Sequence, residues 1–351
     1  LRLGGLLGRV LEELTLVAAG LLIGLAAAAV VAWLYGAPPL GVLSTMFSSV
    51  KQMPDLVAEY TAVLTLTGIS FALPLYTGLF NIGAEGAVYL GALTGLYVAL
   101  STGSLALSLL AGAAAGAALL ALAGWLRVRL GVNEVLSTIM LNWTVYWVML
   151  YLVVTRLIDP MFPQETRSVP ESARLPYLEV AGARIPSTIV VAAAFAALTW
   201  VFVRMTRHGL LMRVSGSNPE AARLRGVSSR LYMLASMAAA GLAAGLGGAL
   251  HIDGYAHSID VLGNTVYGYG YNGIGVALVG RNDPLGVLAS ALFFATLMAG
   301  AQLVEPRYGI PRVAADLIVG VIVVALAAPE ALRVLGRLRA SLRLRAGEEG
   351  R

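Results

Sequence analysis

Residues 105–126 read LALSLLAGAAAGAALLALAGWL, twenty-two positions without a charge. A bilayer crossing takes about 20 apolar residues. The stretch is rich in Ala and Gly, which let membrane helices approach closely where lipid offers no hydrophobic drive between them. It is one of a series. Apolar runs fall at Leu14–Tyr35, Leu56–Phe80, Ala84–Leu100, Leu105–Leu126, Val135–Thr155, Ile185–Val203, Leu231–Ile252, Val266–Val279, Leu285–Leu303 and Val313–Ala328. The sequence therefore predicts an all-α membrane protein of about ten transmembrane helices, with the lipid bilayer as its first partner.

Composition agrees. Of 351 residues, 58% are hydrophobic and only 12% charged, about half the charged share of a soluble domain. Mean hydropathy is +0.81. There is no Cys, which excludes disulfides, thiolate metal sites and Cys nucleophiles. Leu14–Tyr35 is too long for a signal-peptide core and reads as the first span.

The net charge of +5 is positional and does not call for nucleic acid. Numbering the connections alternately gathers 17 of the 24 Lys and Arg residues on one side and leaves 7 on the other. The basic side holds the N-terminus (1–13), the 127–134 turn, the 204–230 loop, the 281–284 turn and the tail (329–351). By the positive-inside rule this side is cytoplasmic, and both termini lie there. The transmembrane domain runs over 14–328. Its longest external loop, 156–184, is punctuated by Pro160, Pro163, Pro170 and Pro176 and reads as irregular. Leu40–Val50 reads either as an interfacial amphipathic helix or as a partly buried connection. Two five-helix halves of opposite topology follow, the inverted repeat common in transporters.

Four segments and Asp316 carry the chemistry. In GSNPEAARLRGV (216–227), Asn218 is a good N-cap, Pro219 suits the first helical position and Glu220 suits the positive helix end. Gly226 stops the helix. This predicts a helix of about two turns on the cytoplasmic side, suited to docking a partner; a basic loop that only anchors topology is the plainer reading. In FNIGAEGA (80–87), on the cytoplasmic side, Asn81 can cap the third span. Glu85 is a substrate-contact candidate, or a simple partner for helix-terminal N–H groups. In VNEVLSTIMLN (132–142), Asn133 and Glu134 open a span, and Ser137, Thr138 and Asn142 line a pathway or bond to a neighbouring helix. In NTVYGYGYNGIG (264–275), glycines break a helix, which lipid tolerates only beside protein or a watery cavity. Tyr267, Tyr269 and Tyr271 there stack on a ring-shaped substrate or form an interfacial belt. Asp316, in the last span, reads as an ion-pair partner for Arg312 one turn earlier, ahead of a proton relay.

His208, His251 and His257 make no metal constellation. No phosphate-binding loop, HExxH or GxSxG occurs, so the chain carries no ATPase, protease or esterase machinery. A self-contained secondary transporter or channel for a small polar solute would need its own intramembrane carboxylates, and the sequence offers Glu85 and Asp316.

FNIGAEGAVYLGAL (80–93), NEVLSTIMLN (133–142), PESARLP (170–176), GSNPEAARLRGV (216–227) and GYGYNGIGVALVGRNDPLG (268–286) together resemble the permease subunit of ABC importers. The superfamily includes ribose and branched-chain amino-acid permeases, and the likeness is to its nucleoside and simple-sugar branch. The resemblance implies a transport subunit without enzymatic activity or cofactor, in the cytoplasmic (inner) membrane. It implies a second permease chain, a cytoplasmic ATP-binding subunit and an extracytoplasmic substrate-binding protein as partners. Asn218, Pro219, Glu220, Ala221, Ala222, Arg223 and Gly226 would form the helix that couples to the ATPase. A polyhydroxylated cargo needs polar or aromatic side chains along its route, and Asn81, Glu85, Asn142, Tyr269 and Asn272 are the candidates. The Arg-rich, Lys-poor composition departs from many members of that family.

Overall fold

A computed structural model describes residues 22–180, 182–224, 226–322 and 324–325. The expected N-terminal segment, the start of the first span, the basic tail and Arg225 lie outside the described residues. The described chain is mostly helical. Two compact units divide it, one of residues 1–50 with 296–351 and one of Lys51–Ala295.

In the smaller unit, α1 (Leu22–Leu34) and α2 (Pro39–Gln52) meet at 116°. The α2 helix buries Val42, Thr45, Met46 and Ser49, the one-sided spacing of a partly buried connection. Ser49 donates to the Thr296 carbonyl at 2.8 Å. Gly300 lets its helix close onto the backbone of Met46. A helix over 312–322 approaches α1 at Gly24, whose Cβ would lie 2.9 Å from the Ile322 Cα.

The larger unit is built on α3 (Pro54–Leu75), which is buried from Leu56 to Pro74. α4 (Ala84–Thr102), α7 (Thr188–Met205) and α10 (Ser229–His251) pack against it, and α5 (Leu105–Leu130) and α6 (Glu134–Leu152) pack on α4. α4, α5 and α10 pack backbone to backbone. A Cβ at Gly112 would lie 2.8 Å from the Gly91 carbonyl oxygen, and one at Gly116 would lie 2.7 Å from the Gly245 Cα. Small residues thus replace side-chain interdigitation, and dispersion between touching backbones holds the three together.

The ends obey local chemistry. Asn133 caps α6 by accepting from the N–H groups of Val135 (2.9 Å) and Leu136 (3.2 Å). Ser104 and Gly131 bracket α5, Gly131 in the left-handed region, a common helix stop. Arg127 and Glu134 pair at 3.2 Å between α5 and α6.

The span count covers the described residues alone, and three expected elements differ in form. Among the described residues seven helices are long and apolar enough to cross a membrane, eight if the bent α1–α2 pair is one span. The run Val266–Val279 is helical only as α11 (Tyr269–Val279), eleven residues. That is about 17 Å, short of the roughly 30 Å hydrocarbon thickness. Gly268, at φ +90°, ends the helix pattern there, so the apolar run overstates the element. The basic 204–230 segment is no loop: α8 (Arg207–Ser217) precedes α9 (Pro219–Leu224), started by Thr206, whose hydroxyl accepts from Gly209 N–H at 3.2 Å. Third, the 156–184 segment, expected outside, is not wholly irregular. It leads into an antiparallel hairpin, β1 (Tyr177–Val180) with β2 (Ala183–Pro186). It is also stitched to 257–261 by Thr166 N–H to Ile259 O (2.9 Å) and Val169 N–H to His257 O (2.8 Å). Extended backbone there finds partners in extended backbone, so its polar groups stay satisfied.

Candidate functional site

The starts of α4 and α11 meet, and Glu85 lies between them. Its side chain is wholly buried. Oε1 accepts from the Tyr89 hydroxyl (2.5 Å) and the Gly268 N–H (2.5 Å). Oε2 accepts from the N–H groups of Gly270 (2.6 Å) and Tyr271 (3.2 Å). Four donors fill the carboxylate, which accepts about four hydrogen bonds when ionised. The anion sits on the positive end of α11, whose first N–H groups have no partner within their own helix. The sequence placed Glu85 at a membrane boundary; the fold instead buries it, serving a helix more than 180 positions away.

Asn142 ties the same junction from α6. Its Oδ1 accepts from Gly86 N–H at 2.8 Å, and its Nδ2 donates to the Ile82 carbonyl at 2.8 Å. Asn81 is wholly buried. Its amide donates to the Ser70 carbonyl at 3.0 Å and accepts from Gly83 N–H at 2.8 Å. Asn81, Glu85 and Asn142 thus converge on the turn that leads into α4. Tyr269 is buried beside His251, ring centroids 5.0 Å apart, and Tyr60, 5.9 Å. Asn272, one turn into α11, is exposed. Tyr267, half exposed, sits edge-on to Tyr146 and Tyr271.

The sequence undervalued Glu59. It is wholly buried in α3, so Glu85 and Asp316 are not the whole set of intramembrane carboxylates. Asp253, also wholly buried, lies in the π-helical extension of α10 (Ile252–Ala256) and accepts from the Ser108 hydroxyl at 2.5 Å. The signal was available: a carboxylate inside an apolar run is costly and needs a partner. His257 stands apart at φ +61°. Burial and the nearby Arg174 hold its imidazole below the ordinary value. Among the described residues no group of three or more His, Cys, Asp or Glu could hold a metal.

α9 forms the second candidate surface. It is six residues long and is closed by a paired hydrogen-bond motif. Gly226 N–H bonds to Arg223 O (3.0 Å) and Val227 N–H to Ala222 O (2.9 Å). This closure needs a left-handed residue, supplied by Gly226 at φ +75°. A cavity of about 750 Å³ beside α9 is rimmed by Arg127, Glu220, Arg223, Ser229 and Arg230. Asn218 ends α8 as α9 begins; Pro219 and Glu220 start α9 as expected.

Residues 53–327 match the profile of the branched-chain amino acid transport system / permease component family. The chain belongs to this family. The permease is 31% identical over 333 residues to the guanosine ABC transporter permease protein NupP of Bacillus subtilis, covering 91% of this chain and 94% of that protein. It is 35% identical over 287 residues to the glucose ABC transporter permease protein TsgB13 of Haloferax volcanii, covering 76% and 74%. The nucleoside ABC transporter permease protein NupB of Lactococcus lactis is 30% identical over 315 residues, 84% of each chain. No solved structure matches. The protein is thus a multi-pass membrane permease of the ABC type, in the ribose and nucleoside branch, and a transport subunit rather than an enzyme. Families of this kind work with ATP-binding and substrate-binding partners.

Proposed function

We propose that the permease carries nucleosides, or related simple sugars, inward across the cytoplasmic membrane by alternating access. The observation that carries this reading is its similarity, over nine-tenths of its length, to a protein named as a guanosine permease. The similarity to a protein named as a glucose permease keeps simple sugars as the second cargo class.

The chain crosses about ten times as two inverted five-helix halves over 14–328, with 1–13 and the 329–351 tail in the cytoplasm. α9, within the 204–230 segment, is the coupling helix. Asn218, Pro219, Glu220, Ala221, Ala222, Arg223 and Gly226 seat it in a groove of a cytoplasmic ATP-binding subunit, and the basic rim of the adjoining cavity supports that fit by charge. A second permease chain, identical or not, completes the pathway, and an extracytoplasmic binding protein delivers cargo above the 156–184 loop. Asn272 and Tyr269 face the pathway; Asn81, Glu85 and Asn142 hold the junction behind them. A half-length helix, α11, meeting the N-terminus of α4 suits a site near the middle of the membrane.

The test is uptake of labelled guanosine, with glucose in parallel, by proteoliposomes holding the permease and its cognate partners. ATP-dependent guanosine accumulation supports the reading. Accumulation of glucose alone moves the cargo to the sugar class. ATP-independent flux of either solute would overturn the ABC mechanism for this chain.

A further inference from the structure

Glu59 and His251 are buried together in the larger unit. Their side chains are 0% and 4% exposed, and Glu59 Oε1 lies 2.9 Å from His251 Nδ1. The other carboxylate oxygen accepts from the Thr188 hydroxyl at 2.6 Å. The second ring nitrogen, Nε2, lies 3.0 Å from the Thr265 carbonyl oxygen. A carbonyl only accepts, so Nε2 carries hydrogen. Nδ1 faces a carboxylate oxygen, and a proton must lie between those two atoms as well. Either the imidazolium donates to the carboxylate, or the neutral imidazole accepts from the carboxylic acid. In both arrangements the pair is neutral overall and holds one proton between its members. Tyr255 and Tyr269 flank the imidazole, with ring centroids 6.3 and 5.0 Å away.

Thr265 belongs to the connection that leads into α11. Its own N–H and hydroxyl both donate to Asp260 Oδ1 at 2.7 Å. Three residues later Gly268 N–H bonds to Glu85. The strap over 261–268 is thus held at its far end by Glu85 directly, and near its middle by Glu59 acting through the imidazole.

We propose that Glu59 and His251 form a one-proton clamp on the Thr265 carbonyl that positions this strap, and with it the first turn of α11. Both are positioning residues. That the positioned turn borders the cargo route rests on the function proposed above; the clamp itself does not.

The test is hydrogen–deuterium exchange on the purified full-length permease, following the peptide over 261–272 with α5 as internal reference. Glu59→Leu strands Nδ1 and the Thr188 hydroxyl; His251→Ala releases Thr265. Each removes a buried hydrogen bond, and strap exchange is expected to rise by about tenfold or more. Glu59→Gln can donate its amide to Nδ1 and accept from Thr188, so every bond survives with neutral histidine, and exchange should stay near wild type. The double variant Glu59→Leu with His251→Ala should be no worse than the more damaging single change. If His251→Ala does not fold, the Gln and Leu variants at position 59 decide. Equal exchange in all variants, or Gln as open as Leu, overturns the clamp. In reconstituted importer, Glu59→Leu should raise the half-saturating guanosine concentration with ATPase assembly unchanged, and Glu59→Gln should restore it. Wild-type protein that takes up no guanosine would sink the cargo reading and leave the exchange result standing.

Discussion

The carboxylate of Glu85 lies 2.6 Å from the backbone N–H of Gly270, and a Cβ on Gly270 would collide with the backbone of Glu85. One contact therefore imposes two demands, an acceptor on α4 and an absent side chain on α11.

Glu85→Gln should be destabilising. A glutamine presents one acceptor and turns an NH₂ toward N–H groups that need acceptors. Losing charge-assisted bonds and stranding donors costs about 2–3 kcal/mol. Thermal unfolding in detergent should show a lower midpoint, and uptake should fall. Unchanged stability would mean that the anion does not hold α11.

Gly245→Ala and Gly247→Ala sit two positions apart in α10 and should behave oppositely. A Cβ at Gly245 would press on the Gly112 carbonyl oxygen and lie 2.9 Å from the Gly116 Cα, whereas one at Gly247 meets Leu66 at an ordinary 3.4 Å. The first should cost about 1–3 kcal/mol by overpacking. The second should be neutral or stabilise by up to about 1 kcal/mol through lost glycine entropy. Unfolding midpoints compared side by side check this.

Asn142→Asp should damage the junction more than its single-atom change suggests. The amide that donates to the Ile82 carbonyl disappears, and a second carboxylate enters the site of Glu85. An unpaired buried acceptor costs about 1–3 kcal/mol, and like-charge repulsion adds to it. Reduced folded yield with loss of uptake is the expected result. Wild-type uptake at wild-type expression would remove Asn142 from the junction's supports.

Replacing Glu220 and Ala221 together with Arg should uncouple transport while the permease still reaches the membrane. Glu220 is exposed on α9, so its replacement should move stability by less than about 1 kcal/mol. Co-purification of the ATP-binding subunit should drop. Intact assembly with intact uptake would argue against docking through α9. Reversing Arg223, Arg225 and Arg230 to Glu should disturb topology or docking, read by insertion and uptake assays.

How much was legible depended on how local the physics was. Asn133 as a cap, Pro219 at a helix start and Gly226 at a helix stop were readable because each rule involves three or four neighbouring residues. The long spans were readable because lipid imposes a length. The 207–217 helix was masked by its charges: Arg207, His208 and Arg213 look like loop when hydropathy alone is followed. α11 erred the other way, since Val266 belongs to the apolar run while the helix starts only after Gly268. The candidates Asn81, Glu85 and Asn142 were noticed as polar residues near or in spans. What they touch was not readable, because Glu85 and Gly270 are 185 positions apart and no periodic pattern records such a contact. Glu59 was passed over because the run around it is apolar enough to absorb one carboxylate in any average.

The glycine contacts among α4, α5 and α10 carry a mechanical consequence. Where backbones touch, no compliant layer of side chains can creep, and sliding by even a fraction of a turn would meet atoms already in contact. These helices must travel as a single stiff keel. Shape change then falls to the parts packed around it, the α7–α9 segment and the 261–268 segment among them, in the manner of hinges rather than shears.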